Sequence, residues 1–396
     1  MKSTIGFLMV FLFPILLLAS NSSSIATKQF TFYSETFSIS YDKELVKCGK
    51  KMKQANEKSV KSFYKEMEAA PYQQLLNQLQ KEKDRMQLND WLYSKMVRLA
   101  IEEIYPGKNE MQLSLAWWFL LCKSGYDIRL ANYDYVEMYL YVPTSDQLAK
   151  VPFFTEEDQR FYNLSTAMLG IKTKGRELKK HKFKGNGKGQ KFSFQLQQMP
   201  NLKPIKSYKS FDFVYKEKEV QFKVQIDENM LNILNEYPAL DEMGYLEASL
   251  SPTLKNSLIP QLEKMMAGKS QKESLEVLAA FTRTAFEYKW DWDVYNDDHP
   301  MFAEQVFHSE FSDHEDRCAL YYFLVKEMLD LPMVVISHYN NNMTLGVAID
   351  EKMKREFDYN GKKFVICDPT HPTSTCEIGR YPNGLTKTTA TVLGER

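Results

Sequence analysis

Apolar positions recur at helical spacing from residue 43 to about 105, with a break at Pro71; Leu75, Leu79, Trp91, Leu92, Met96 and Leu99 share one stripe. The same spacing returns in Leu258, Leu262, Leu275, Leu278, Phe281 and Phe286. Set side by side, LLNQLQKEKDRMQLNDWLYSKMVRLAIEEIYP and LIPQLEKMMAGKSQKESLEVLAAFTRTAFEYKW place large apolar residues at nearly matching positions. Each is followed by an aromatic-rich helix, a tight turn and a strand, WWFLLCKSGYDIRL (117–130) and YYFLVKEMLDLPMVVI (321–336). Alternating strands come next, YVEMYLYV (135–142) and MTLGVAI (343–349), and then FYNL (161–164) and FVIC (364–367). The pattern therefore predicts one unit present twice, with 73–165 equivalent to 256–368 and 290–311 inserted in the second copy. Two unrelated helix–strand runs are the plainer alternative, because short apolar patterns recur by chance.

Between the copies the pattern changes. Residues 172–191 are rich in Lys and Gly without apolar periodicity and read as a solvated linker or hairpin loop. KFSFQLQQ (191–198), SFDFVY (210–215) and VQFKVQI (220–226) alternate strictly, which predicts strands of a small β-domain joining the copies.

At the start, Lys2 precedes the apolar run Ile5–Ala19, and the small polar stretch Ser20–Thr27 follows. That is the build of a secretory signal peptide, cleaved after Ser20 or after Ala26. The run falls short of the ~20 apolar residues that span a bilayer, so an uncleaved anchor is the weaker reading. No second stretch is long enough to cross a membrane. An exported protein of the periplasm or cell envelope, or a secreted one, is expected.

Composition narrows the function. The 51 basic and 51 acidic residues balance, so no general attraction for nucleic acid or an acidic membrane is expected. The Lys-rich linker lacks the aromatic interleaving of a nucleic-acid patch. Five cysteines (Cys48, Cys122, Cys318, Cys367, Cys376) are too few and scattered for a disulfide framework. Cys367 and Cys376 are the one nearby pair, and nothing else supports a bridge between them. No Cys/His cluster has zinc spacing. The acidic run DWDVYNDDH (291–299) lacks the Gly and terminal Glu of a calcium loop and reads as a solvated loop. No cofactor and no metal site is expected.

The run from Leu275 to Thr370 resembles the transglutaminase-like superfamily, which has a papain-type core. The matching pieces are FSDHEDRCALYYFLVKEMLDLPMVVI, NNNMTLGVAI and FVICDPT. The overall layout also resembles larger exported Bacteroidota proteins that carry such a domain C-terminally. The resemblance covers about a quarter of the chain directly, and more weakly the first copy. It implies a thiolate at a helix start, where the helix dipole lowers a cysteine pKa, a His base, and an Asp that orients it. Ser312 and Glu315 have capping-box spacing, so the helix is expected to begin at 313–314. His314 then falls on the nucleophile position and Asn342 on the base position, while Asp368 keeps the third. Imidazole cannot form the usual thioester, and an amide cannot accept a proton at neutral pH.

Cys318 is the alternative nucleophile, with His338 as base and Asp368 behind it. It lies one turn inside the helix, on an apolar stripe with Tyr321, Tyr322, Val325, Met328 and Leu329, where cysteine is usually a small buried hydrophobe. Glu110, Tyr135 and Ser165 occupy the three positions of the first copy, and make no such triad. The resemblance thus implies an α+β fold with two transglutaminase-like helix–sheet units flanking the small β-domain. The expected boundaries are 1–26 signal peptide, 27–171 helical segment and first unit, 172–250 linker and β-domain, and 251–396 second unit. The expected function is non-catalytic binding of peptide or protein in the degenerate cleft. A Cys318-dependent peptidase, amidase or crosslinker is the enzymatic alternative.

Overall fold

A computed structural model describes residues 24–171, 173, 177–185, 189–338, 343–370, 377–381 and 390–396. Most of the expected signal segment, and Asn342 and Cys376, lie outside the described residues.

The first unit opens on a hairpin, β1 (Ile25–Phe32) and β2 (Glu35–Asp42). The sequence reading had no strand here, and cleavage after Ala26 would divide β1. Its inward alternation, Phe30, Phe32, Phe37, Ile39 and Tyr41, is buried. A 3-10 turn (Leu45–Lys47) leads to α1 (Glu57–Ala69), α2 (Gln73–Met86), α3 (Asp90–Ile104) and α4 (Glu110–Lys123). Asn56, Asn89 and Asn109 start α1, α3 and α4, each side chain accepting a backbone N–H three residues on. Strands β3 (Arg129–Tyr133), β4 (Glu137–Pro143), β5 (Phe153–Glu156) and β6 (Gln159–Asn163) follow, then α5 (Leu164–Leu169) and β7 (Lys179–Lys180).

The second unit opens on the hairpin β8 (Lys206–Tyr215) and β9 (Lys218–Asp227), then α6 (Glu228–Asn235), α7 (Glu242–Leu246), α8 (Pro252–Met266) and α9 (Gln271–Thr284). Next come β10 (Glu287–Tyr288), α10 (Asp291–Tyr295), α11 (Ala303–Val306) and β11 (Phe311–Ser312). Helix α12 (His314–Leu329) and strands β12 (Met333–His338), β13 (Met343–Val347), β14 (Phe357–Tyr359), β15 (Lys362–Cys367) and β16 (Ala390–Glu395) complete it.

The architecture is mixed α+β, and the two units share one plan. Their antiparallel sheets run β5-β6-β4-β3-β7 and β14-β15-β13-β12-β16, so every strand has a counterpart in the same place. Helices α4 and α12 each lead into the sheet, at β3 and β12. Both are buried on nearly all sides, as befits a helix packed between a sheet and other helices. The hairpins obey the same rule: β1 packs on α3 and β2 on α2, β8 on α9 and β9 on α8. Between α9 and α12 stand β10, α10, α11 and β11, whereas only residues 105–109 separate α3 from α4.

The expected small β-domain is not a separate body. Phe211, Phe213, Phe222, Val224 and Ile226 of β8 and β9 belong to the second core. Residues 191–198 form no strand. Phe192, Phe194 and Leu196 alternate into the first core without a strand ladder: Phe192 N donates to O of Pro143, the last residue of β4 (2.8 Å), and Phe194 N to Asp146 Oδ2 (2.6 Å). The boundary between the cores therefore falls after Leu202, although α6 turns back to bury Met230, Ile233 and Leu234 against the first core. Cys367 is a buried free thiol, not half of a disulfide. Among the described residues no helix is long and apolar enough to cross a membrane.

Candidate functional site

Helix α12 begins at His314, within the expected 313–314, but its cap is not Ser312. Ser312 pairs in β11 with Tyr288 of β10, and its hydroxyl accepts from Arg317 Nε (3.0 Å). Asp313 caps instead, accepting from Glu315 N (3.0 Å), while Asp316 Oδ2 accepts from Asp313 N (3.0 Å) to close the box. Asp316 Oδ1 also takes Met301 N (2.8 Å), which ties the inserted segment to the helix start.

His314 is the first helical residue, as its spacing predicts, and it is buried. Its ring lies 5.2 Å from that of Trp290, centre to centre. Nδ1 stands 3.6 Å from Asp313 Oδ2 and Nε2 3.6 Å from Glu315 Oε1. Arg317, also buried, fans out over three segments: to Ser312 Oγ, to Thr370 O (2.9 Å) and to Phe286 O (2.7 Å). Burial lowers its pKa to about 10.

Asp368 follows β15 and is buried. Its Oδ1 accepts from Thr370 N (2.9 Å) and Thr370 Oγ1, its carbonyl accepts from the Arg283 guanidinium, and its Oδ2 has no hydrogen-bond partner among the described residues. Arg317, by holding Thr370 O, brings the Asp-Pro-Thr segment to the first turns of α12. Asn342, expected at the base position, lies outside the described residues.

Cys318 has no exposed surface and its Sγ donates to Met343 O (3.3 Å). Burial holds its pKa well above the ordinary thiol value, with Asp368, Glu315 and Asp313 adding repulsion. His338 is also buried; its Nε2 bonds Thr344 Oγ1 (2.8 Å), and burial lowers its pKa against the opposing pull of Asp368. Strand parity separates the two. Met333, Val335, Met343, Leu345 and Cys367 face Cys318 in the second core, whereas Val334, Ile336, Phe364 and Ile366 form a cluster on the other side. His338 continues the second set. Cys318 and His338 therefore lie on opposite faces of one sheet and form no thiolate–imidazole pair.

In the first copy the three expected positions are engaged separately. Glu110 is clamped by Arg98 through two bonds (2.8 and 2.7 Å), and Ser165 Oγ accepts from Leu140 N (3.0 Å). Tyr135 sits in the β3–β4 turn with a left-handed backbone and is partly exposed.

Beside the first turns of α12 lies a cavity of about 610 Å³. Residues 147–150 of the first unit and 239–246 of the second, at and just before α7, form one wall, the two strips being joined by Ala149 N to Ala239 O (2.9 Å) and Asp241 N to Gln147 O (3.0 Å). Glu315, Ala319, Ser337 and Met343 form the opposite wall. Leu393, the residue left over in a bulge between β16 and β12, also lines it.

The cavity is rich in carboxylates. Burial pushes Glu315 up to about 8, with Asp313, Asp298, Glu242 and Asp291 reinforcing the shift. Burial likewise pushes Asp291 up to about 6. The run 291–299 is thus no solvated loop throughout: Asp291 is buried and its Oδ2 accepts from His299 N (2.7 Å). The sequence offers Glu315 only as a cap partner and Asp298 only as part of the acidic run, and gives neither a place in a site. Among the described residues no three His, Cys, Asp or Glu side chains are grouped to hold a metal ion.

No family model matches the chain, and no curated protein or solved structure matches it either.

Proposed function

We propose that the chain is an exported, non-catalytic transglutaminase-like protein that binds peptide or protein in the cleft beside the first turns of α12. One observation carries this reading: Cys318, beside the cleft, is sealed from solvent and sits across the sheet from His338. The order of elements supports the family assignment, since α12 is followed by β12, β13 and β15, and β15 runs into Asp-Pro-Thr. The substitution at the helix start supports the loss of chemistry. His314 stands where the resemblance places the nucleophile, packed on Trp290 between two carboxylates. What remains open beside it is the cavity, of a size that suits ligand binding.

Native protein treated with iodoacetamide at neutral pH and mapped by mass spectrometry tests the non-catalytic part. Cys318 is expected to stay unmodified, and neither peptide hydrolysis nor amine incorporation is expected. Rapid labelling of Cys318, or turnover that disappears in Cys318→Ser, would establish the enzyme instead. Detection of the native protein solely in the cytoplasmic fraction would refute export.

A further inference from the structure

The cavity wall is unequal in charge. Asp241, Glu242, Asp298 and Glu315 line it, and the one cation among the described lining residues is Lys150, already 3.0 Å from Asp297. Asp241 is spent on capping α7, accepting from Gly244 N (3.0 Å). Glu242, Asp298 and Glu315 remain. Asp313 and Asp291 stand close behind Glu315 and repel it further. An acidic wall alone names no ligand, but the rest of the lining adds a second chemistry. Leu148, Leu240, Leu246, Met301, Ala319 and Met343 give an apolar surface next to the carboxylates.

We propose that this cavity receives the lysine or arginine side chain of a bound peptide. Such a side chain has the two parts that the lining offers to hold: an aliphatic stem and a cationic head. The rim fits the same occupant. Trp292, which lines the cavity, is 64% exposed, and Trp290 and Tyr295 on either side are 45% and 42% exposed. Exposed indole faces attract cations and cover the apolar parts of a peptide backbone. A volume of about 610 Å³ exceeds one side chain, and the aromatic rim extends beyond it, so the ligand is a chain segment and not a free amine. The inference rests on the binding reading above and names its ligand class.

Short fluorescein-labelled peptides of glycine and serine, each with one central lysine, arginine, norleucine or glutamate, test it by fluorescence anisotropy with the full chain. The lysine and arginine peptides are expected to bind at least about tenfold more tightly than the norleucine and glutamate peptides, and more weakly as salt is raised. Glu315→Gln, measured at about pH 9 where Glu315 is ionised, is expected to erase most of that preference. Asp298→Asn, a change on the exposed side of the cavity, is expected to lower it with the fold intact by circular dichroism. Norleucine binding equal to lysine binding would overturn the basic ligand and leave a peptide-binding protein. Free lysine or spermidine binding as tightly as the lysine peptide would overturn the peptide source. If no peptide of any charge binds, the binding function itself fails.

Discussion

Arg317 joins three segments of the site through one guanidinium, and methionine there would leave Ser312 Oγ and the carbonyls of Thr370 and Phe286 without their donors. Each buried acceptor so stranded costs about 1–3 kcal/mol, so Arg317→Met is expected to destabilise the chain by roughly 3 kcal/mol or more in urea unfolding. Arg317→Lys keeps the charge without the planar fork and is expected to fall between. A wild-type midpoint for Arg317→Met would mean that water replaces all three bonds. The carboxylates around α12 govern the response to pH. Glu315 is pushed up to about 8 and Asp291 up to about 6. The folded chain therefore keeps protons that the unfolded chain has released, its carboxyls titrating near 4. The stability these two groups contribute is full below about pH 4 and is lost as the pH rises through about 6 and then about 8. Glu315→Gln is expected to raise the melting temperature over wild type, by more at about pH 9 than at about pH 5. An equal gain at both would mean that Glu315 is already ionised at the lower pH. Sequence spacing found His314 at the helix start and Cys318 on a buried stripe, because both depend only on helical period. It missed the cap by one residue, since Ser312–Glu315 and Asp313–Asp316 have the same spacing; the pairing of β11 with β10 decides between them.

The elements were legible where their period is long and their burial one-sided. The paired helices, the aromatic central helices and the alternating strands stand where the apolar pattern puts them. Residues 191–198 show the limit of that method: alternation reports which side chains are buried, but a strand also needs a neighbour to pair with, and these residues form no ladder. The hairpin β1–β2 shows the converse, a readable alternation passed over because it begins within the segment taken for a cleavage zone. Packing within the second sheet gives a sharp test. A Cβ on Gly346 of β13 would stand 2.6 Å from both Val334 Cγ2 and Phe357 Cζ, side chains already packed in the outer cluster. Gly346→Ala is expected to cost roughly 1–3 kcal/mol in thermal or denaturant unfolding, through overpacking. An unchanged stability would show that the outer cluster is loose enough to absorb a methyl group.

On the scale of the whole molecule, two units of one plan meet at a cavity that neither encloses alone. The lining comes from residues 147–150 of the first unit and from α7, the inserted segment, α12 and the sheet of the second, which is why no local motif announced it. A lysine peptide that occupies it is expected to raise the melting temperature with concentration, as any ligand of the folded state does, and the norleucine peptide is expected to do so far less. A lysine peptide that leaves the melting temperature unchanged at saturation would place its binding elsewhere or in the unfolded chain. The order of strands also bears on how the chain comes into being. The first sheet possesses all five of its strands once Lys180 has been synthesised. The second borrows its outermost strand, β16, from residues 390–395, far downstream of β15. During synthesis a completed half is therefore joined to one whose β12 still presents an unpaired apolar edge, the kind of edge that recruits strands from neighbouring chains. Until residues 390–395 are synthesised, that edge of β12 has no partner in its own sheet.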